Sequence, residues 1–276
     1  MLFGKKNCTQ CGSQIDVVEE TCPACKHRDE NFENLGIPKN ILWLPTWKQL
    51  VIFAIGLIGL NLVSLIAELF FSPYMEVHPV LYVTVVNLTR YLLCAAGIAC
   101  VLIDDYHKFP KFLKKWYPWV IGIGIGVGLL AATYFYNSIV NIFHPTTPNE
   151  NQSIIDQVIG SFPITSIFLL GFLGPIVEEF TYRVGLYSFF RRINKYVAYA
   201  LTIVIFGLIH FNFFAKGEDM INELLNLPSY MISGFLLTLA YEKFGLACAT
   251  TAHVFNNLYG VVMTILMKFV SQYVGG

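Results

Sequence analysis

The stretch FPITSIFLLGFLGPIVEEFTYR, residues 162–183, carries two adjacent carboxylates and an arginine inside a strongly apolar run. Each such charge costs roughly 2.5–3.5 kcal/mol at the centre of a membrane helix on insertion scales. Ionisable groups in such positions face a bundle interior or a wet cavity, and they mark functional sites by default. Glu178, Glu179 and Arg183 are therefore the first candidates for chemistry in this chain.

The composition of the whole chain is typical of a membrane protein. Of its 276 residues, 55% are hydrophobic and 13% are charged, whereas soluble domains usually carry about 25% charged residues. The 18 basic and 18 acidic residues cancel, so no nucleic-acid partner is expected. The first ten residues, MLFGKKNCTQ, lack the apolar core of a signal peptide, so we expect no cleaved leader.

Runs of about 20 apolar residues are long enough to cross a bilayer as helices. We therefore expect an all-α polytopic membrane protein with about seven to eight transmembrane helices and a small N-terminal zinc ribbon. The sixth run is short and suits either a re-entrant segment or a helix packed against its neighbours. The acidic stretch KGEDMINELLN before it predicts an exposed loop or a short surface helix. The predicted spans lie near 49–71, 80–103, 117–140, 162–190, 196–214, 229–242 and 246–268.

Basic residues are unevenly distributed between the predicted loops. The loops SPYMEVHP and NIFHPTTPNENQSIIDQVIG contain no lysine or arginine. Because cytoplasmic loops are enriched in lysine and arginine, the pattern predicts a cytoplasmic N-terminus. The basic loops are the one after the second span and the one after the fourth, with Lys108, Lys111, Lys114, Lys115, Arg191, Arg192 and Lys195.

The polar N-terminal segment contains four cysteines as two C-x2-C pairs ten residues apart: Cys8, Cys11, Cys22 and Cys25. Four thiolates with this spacing can close a tetrahedral zinc site on two tight turns. A disulfide pair is the alternative, but it needs an oxidising compartment. The sequence thus predicts a structural zinc ion.

These features divide the chain into three parts. Residues 1–28 form the zinc ribbon, 29–48 form a linker and interfacial segment, and 49–276 form the membrane domain. The linker ends with Trp43 and Trp47, which we expect at the membrane interface. So small a ribbon has little core of its own, so we expect metal binding to supply most of its folding energy.

The glycine-rich stretch IGIGIGVGLL, residues 121–130, lies within an apolar span. Gly122 with Gly126, and Gly124 with Gly128, are spaced by four residues and so share a helix face. Small residues on a membrane helix allow close packing of a second helix. The stretch predicts such a packing surface rather than a nucleotide loop.

Polar side chains recur at helical spacing on three predicted spans, as the pairs Glu179/Arg183, Phe206/His210 and His253/Asn257. Residues four apart lie on one helix face. Taken singly, the ion pair is a tie between helices, and each histidine is a hydrogen-bonded core residue. Taken together, an acid, two imidazoles and an amide provide the base, proton shuttle and oxyanion donors of amide hydrolysis.

These segments resemble the motifs of the CPBP family, which comprises CAAX proteases and bacteriocin-processing enzymes. EEFTYR, residues 178–183, is similar to the E-E-x-x-x-R motif, FGLIH to F-x-x-x-H and HVFNN to H-x-x-x-N, in the family's order. The resemblance covers residues 155–265. The zinc ribbon is not part of the family's pattern and must be an addition.

The resemblance implies an intramembrane endopeptidase. Glu178 would activate water with the help of His210. The oxyanion would be held by His253 and Asn257. Glu179 would pair with Arg183. Family members have been described both as metalloproteases and as metal-independent glutamate peptidases. The chain lacks H-E-x-x-H, so we favour the metal-independent chemistry and leave the catalytic metal open.

The expected partners are the lipid bilayer and a membrane-associated or leader-bearing peptide or protein, with an unknown partner for the ribbon. The cell membrane of a bacterium is the expected location. Two rival functions remain: a non-catalytic immunity or scaffold protein, and a proton-coupled transporter, which needs internal repeats that the sequence does not show.

Arg90 and Glu68, on the first two spans, are expected to snorkel or to make a polar contact between helices.

Overall fold

The computed structural model describes residues 2–29 and 37–274. Two short strands, β1 Lys5–Asn7 and β2 Gln14–Asp16, pair antiparallel. The other main elements are the helices α1 Thr46–Val77, α2 Pro79–Leu102, α3 Tyr117–Phe143, α4 Glu150–Ser161, α5 Pro163–Arg191, α6 Lys195–Leu208, α7 Glu218–Phe244 and α8 Leu246–Val274. A 3₁₀ turn, Ile103–Lys108, and a short helix, Phe109–Leu113, link α2 to α3.

The predicted architecture is confirmed. Within the described ranges, six helices are long and apolar enough to cross a membrane, and α6 is a shorter apolar helix. The chain is thus an integral membrane protein of all-α type. The expectation of a short sixth span is wrong, because α7 begins at Glu218 and runs for 27 residues. The acidic stretch is the first part of this helix, which starts after Gly217 in a left-handed conformation, at φ 57°.

Helix α5, which carries the two adjacent glutamates, lies at the centre of the bundle. Half of the residues in its apolar membrane-spanning part are buried inside the protein, compared with 11% in α1 and 17% in α2. Two π-helical segments, Ile167–Leu173 and Phe180–Tyr187, flank an α-helical stretch that begins at Gly174 and Pro175. Since proline has no N–H to donate and its ring clashes with the preceding turn, a widened π-helical turn accommodates it.

The glycine-rich face of α3 packs against α8, but only one of the two predicted pairs takes part. A Cβ on Gly122 would lie 2.7 Å from the carbonyl oxygen of Cys248, and one on Gly126 would lie 2.8 Å from the Phe255 ring. A Cβ on Gly124 or Gly128 would meet nothing within 4 Å. The helix rotation thus decides which glycines are in contact.

The ribbon is built from two similar turns. Gly12 N–H donates to the Cys8 carbonyl and Lys26 N–H donates to the Cys22 carbonyl, each at 2.9 Å. Both Gly12, at φ 74°, and Lys26, at φ 61°, adopt the left-handed conformation. Each C-x2-C pair therefore sits on a tight turn that directs both sulfurs to one point, as the spacing predicts.

The ribbon docks on the membrane domain through Arg192, just after α5. This side chain is fully buried and contacts both carboxylate oxygens of Asp16, at 3.2 and 3.4 Å. It also donates to the carbonyls of Leu2 and Leu44, at 2.8 and 2.7 Å. Gln49 accepts a further bond from it at 3.1 Å. The ribbon thus has contacts with the membrane domain beyond its own metal site, and the share of its folding energy that the metal supplies stays a prediction.

The predicted linker is partly core. Residues 30–36 lie outside the described residues, whereas Ile41, Leu42 and Leu44 are each 1% exposed. The Trp43 ring is buried and its Nε1–H donates to the Pro38 carbonyl at 3.0 Å, whereas Trp47 is exposed, and the interfacial position of the pair stays a prediction. Residues 41–44 fill the space between the ribbon and the helices.

Candidate active site

A cavity of about 690 Å³ lies among the membrane helices at the level of the motif residues. Its lining comes from α1, α2, α4, α5, α7 and α8, with Leu129 from α3 and further residues from the end of α6. The polar or ionisable side chains in its wall are Ser64, Glu68, Tyr82, Asn87, Arg90, Tyr91, Asn151, Gln152, Glu178, His210, Tyr230, Ser233, His253, Asn256, Asn257 and Thr264. A membrane domain with so many polar groups around one space fits a water-filled site.

Glu178 is the carboxylate of α5 that faces this cavity. It is 8% exposed, and its Oε1 accepts a hydrogen bond from the Tyr91 hydroxyl at 2.9 Å. Its Oε2 lies 3.7 Å from Nε2 of His253. One carboxylate oxygen is therefore held by α2, and the other lies next to an imidazole and can reach a water molecule in the cavity.

Glu179 points away from the cavity into the helix bundle. Its Oε1 lies 2.8 Å from Nδ1 of His253 and 3.2 Å from Nη1 of Arg183, and both Glu179 and Arg183 are fully buried. The Arg183 guanidinium also stacks over the Phe206 ring, 4.7 Å from its centroid. Glu179 therefore orients the His253 ring and neutralises the buried arginine.

His210 lies in the turn that follows α6, since the helix ends at Leu208. The prediction that residue 210 lies within a span is wrong, but its side chain still reaches the cavity. Its ring stacks on Tyr230 of α7, with centroids 4.4 Å apart and an interplanar angle of 16°. Its Nδ1 lies 3.4 Å from the Asn151 amide. These contacts hold the ring against one wall.

Asn257 is already hydrogen-bonded to the protein. Its Nδ2 donates to the carbonyl of Leu170, in the first π-helical segment of α5, at 3.2 Å. Its Oδ1 accepts from the Asn256 amide at 3.3 Å. Because a primary amide has two N–H groups, each asparagine retains one donor for a bound group, and both side chains line the cavity.

Sequence reasoning missed Tyr91, Tyr230, Asn149 and Asn151, whose roles come from tertiary contacts. Asn149 caps α4 by accepting from Gln152 N–H at 3.0 Å, and it donates to the His210 carbonyl at 3.1 Å. The run PNEN was an available signal, because asparagine at the N-cap position favours a helix start and a glutamate in the first turn supports it. Nothing in the sequence links Tyr91 to Glu178.

The four ribbon cysteines converge on one point. Their sulfur atoms all lie within 4.8 Å of one another, with 3.6 Å between those of Cys8 and Cys25 and 3.7 Å between those of Cys11 and Cys22. A tetrahedral site with metal–sulfur bonds of about 2.3 Å separates its sulfurs by about 3.8 Å, so the cluster fits a four-thiolate metal site. The side-chain contact with Ser13 lowers the pKa of Cys11 to about 6, whereas desolvation and the neighbouring thiols raise the pKa of Cys25 to about 12. No disulfide links them.

Residues 160–259 match a protein-family model described as Rce1-like: Type II CAAX prenyl endopeptidase Rce1-like. This region runs from the end of α4 into α8 and contains all three motifs. The resemblance to CAAX proteases is thus confirmed for this part of the chain, and it supports a function of the intramembrane protease type. No solved structure matches the chain at a significant level.

Two curated relatives come from Lactococcus lactis subsp. lactis (strain IL1403). The UPF0177 protein YvdC is 24% identical over 161 residues, which cover 58% of this chain and 58% of YvdC. The UPF0177 protein YbdI is 25% identical over 138 residues, which cover 49% of this chain and 71% of YbdI. The chain therefore spans less than two thirds of YvdC.

Proposed function

We propose that this chain, with its CAAX-protease-type region, is an intramembrane endopeptidase that hydrolyses a peptide bond of a membrane-associated or leader-bearing peptide or protein. The observation that carries the proposal is the pairing of Glu178 with His253 in the wall of a polar cavity. A buried acid next to an imidazole in a wet membrane cavity is an arrangement suited to activating water.

In this mechanism, Glu178 takes a proton from water while the oxygen forms a bond to the substrate carbonyl carbon. The charge that develops on the carbonyl oxygen is stabilised by N–H groups in the cavity wall, from Asn256 and Asn257. When the C–N bond breaks, the leaving amine takes up the proton that Glu178 holds, directly or through His210. The base is thus restored for the next turnover.

Glu179 and Arg183 act as positioning residues in this scheme. They do not line the cavity, but the contact between Glu179 and His253 fixes the ring nitrogen that faces Glu178. Since Nδ1 is engaged by a carboxylate, it carries the proton, and Nε2 is free to accept a hydrogen bond. This leaves His253 able to orient the attacking water.

The proposed chemistry needs no metal in the cavity. Of the described histidine, cysteine and acidic side chains, only the four ribbon cysteines form a group of three or more within metal-binding distance. Glu178, His210 and His253 do not converge in this way. We assign zinc to the ribbon because four thiolates in tetrahedral geometry favour this ion. Zinc there would hold the two turns of the ribbon together.

The cavity extends toward the end of the bundle that is far from the ribbon. Glu68, Met75 and Tyr82 line it near the junction of α1 and α2, whereas α1 begins beside the ribbon at Thr46. With the N-terminus in the cytoplasm of a bacterial cell, as the loop charges predict, substrates would enter from the outer face.

A cleavage assay tests the proposal. Purified protein is incubated with an internally quenched peptide library, with and without a chelator, and products are identified by mass spectrometry. We expect cleavage by the wild type and by Glu68→Gln, a matched change at the far end of the cavity, and losses in Glu178→Gln and His210→Ala. Absence of cleavage by wild type, or equal activity of Glu178→Gln, would contradict the proposal. Loss on chelation in a variant without the ribbon cysteines would contradict metal independence.

A further inference from the structure

Arg90 presents a positive charge deep in the membrane. It lies eleven residues beyond the start of α2 at Pro79, which places its Cα about 16 Å along the helix. This is near the middle of a hydrocarbon core of about 30 Å. The adjacent Tyr91 donates to Glu178, so the arginine lies at the depth of the proposed catalytic carboxylate.

Arg90 makes a polar contact between helices, which is the second of the two outcomes expected for it. Its Nη1 donates to Oγ of Ser64 on α1 at 3.2 Å. Ser64 lies thirteen residues before Val77, the end of α1, or about 20 Å from that end. The guanidinium is therefore held at depth, and its Cζ lies 5.4 Å from the ring centroid of Tyr91.

Arg90 has no acidic partner in the described part of the chain. No carboxylate oxygen there lies within 4.0 Å of its nitrogens, and its buried Nε makes no hydrogen bond. Glu68 lines the same cavity one helical turn beyond Ser64, yet it does not form an ion pair with this arginine. A charge in a membrane interior requires a counter-charge or a wet cavity, and here the cavity is the open side.

We propose that Arg90, with Ser64 and Asn87, forms an anion-binding subsite that holds a carboxylate of the peptide substrate, an inference that rests on the proposed peptidase function. Asn87 lies one helical turn before Arg90 and lines the cavity beside it, so it adds amide donors. A guanidinium binds a planar carboxylate through two parallel hydrogen bonds. Glu178 at the same depth then acts on a bond close to that anchor.

A peptide carboxylate fits this position better than a lipid phosphate. Lipid headgroups lie at the edge of the hydrocarbon core, about 15 Å from its centre, whereas the guanidinium is held near mid-depth. A peptide that enters the cavity can carry a carboxylate to this depth, either at its C-terminus or on an acidic side chain. The subsite thus selects substrates with an acidic group near the cleaved bond.

Binding of three peptide pools to the protein in phosphatidylcholine nanodiscs tests the subsite. The first pool consists of random heptapeptides without Asp or Glu that end in a free carboxylate, and the second is the same pool amidated. The third is amidated and carries one Glu. Retention is measured by mass spectrometry in a Glu178→Gln background, where cleavage does not interfere.

We expect at least one carboxylate pool to be retained about tenfold more than the neutral pool. A hydrogen bond to a charged group contributes enough binding free energy for a change of this size. Arg90→Gln should reduce this ratio to about one, while Arg90→Lys retains part of it. The control is Lys216→Gln, which removes an exposed charge at the end of the bundle toward which the cavity extends. This variant should keep the full ratio. The first and third pools distinguish a terminal from a side-chain carboxylate.

Equal retention of all three pools would overturn the subsite, as would a ratio that survives in Arg90→Gln. Loss of the ratio when phosphatidylglycerol is added to the nanodiscs, at a salt concentration that screens the anionic surface, would show that the site takes the headgroup of an anionic lipid, which also overturns it. If the wild type cleaves no peptide while the Arg90-dependent ratio is present, the proposed function fails and the subsite stands. Elution of each variant as a single species from a size-exclusion column checks its fold. If Arg90→Gln does not fold, the retention ratio of Arg90→Lys decides whether the subsite exists.

Discussion

One imidazole contacts both adjacent carboxylates: Nδ1 of His253 lies 2.8 Å from Glu179, and Nε2 lies 3.7 Å from Glu178. The two glutamates are neighbours in sequence but have different surroundings. Glu178 faces the cavity, whereas Glu179 is fully buried beside Arg183. The same substitution should therefore have different consequences at the two positions.

Glu178→Gln should reduce cleavage by about 10²- to 10⁴-fold, the range typical of general acid–base groups. It should leave the stability unchanged or slightly raised, because it removes one of two neighbouring buried charges. Glu179→Gln should instead lower the free energy of unfolding by about 3–5 kcal/mol, because Arg183 loses its counter-charge. Thermal unfolding in detergent and the cleavage assay measure both quantities. Equal destabilisation by the two changes would contradict the division of roles.

Removal of Arg192 should detach the ribbon. Arg192→Ala breaks the ion pair with the partly exposed Asp16 and leaves the carbonyls of Leu2 and Leu44 without this donor. Because each unsatisfied buried carbonyl costs about 1–3 kcal/mol, we expect a loss of about 2–5 kcal/mol. Limited proteolysis should then cut between the ribbon and α1. Arg28→Ala is the control, because Arg28 is 62% exposed and exposed ion pairs contribute at most about 1 kcal/mol. Similar protease resistance in both variants would refute this docking.

The glycines of α3 provide a matched pair of substitutions. Gly126→Ala places a Cβ 2.8 Å from the Phe255 ring, so it should destabilise the protein by about 1–3 kcal/mol through overpacking. Gly124→Ala meets nothing within 4 Å and improves helix propensity, so it should be neutral or stabilising. Unfolding midpoints compare the two. A larger loss at Gly124 would place α3 in another rotation.

Metal analysis should find about one zinc ion for each chain, because the four thiolates form one tetrahedral site. Cys22→Ser should lose most of this zinc, whereas Cys248→Ser, a buried cysteine of α8, should retain it. Lys26→Gly should raise the ribbon's stability by up to about 1 kcal/mol, since it relieves a left-handed conformation. Plasma mass spectrometry and chelator competition provide the measurements. Zinc retained in Cys22→Ser would exclude the cluster as its site.

Labelling in intact cells should reveal the orientation of the chain. Lys216 and Lys115 are exposed near opposite ends of the bundle. With a cytoplasmic ribbon, Lys216→Cys should react with a membrane-impermeant maleimide before lysis, and Lys115→Cys only afterwards. The wild type, with its seven native cysteines, provides the background. The reverse pattern would place the cavity on the cytoplasmic side.

Several parts of the site were predictable because they depend on local geometry. Glu179 and Arg183 are four residues apart on one helix, so their pairing follows from the helical repeat alone. The C-x2-C pairs likewise bring two thiols together on each turn. His210 shows the limit, because the end of α6 at Leu208 depends on contacts with α4 and α7 that lie distant in sequence.

The sequence by itself determined the membrane class, the four-cysteine cluster and the three motifs, because hydropathy, spacing and helical periodicity act over short distances along the chain. Only the tertiary structure decided that Tyr91 holds Glu178, that Arg90 faces the cavity with no acidic partner among the described residues, and that Arg192 lies buried under the ribbon. These arrangements depend on the rotation and depth of helices that pack together from distant parts of the chain. A side chain's partners are then set by the whole bundle, and no single segment encodes them.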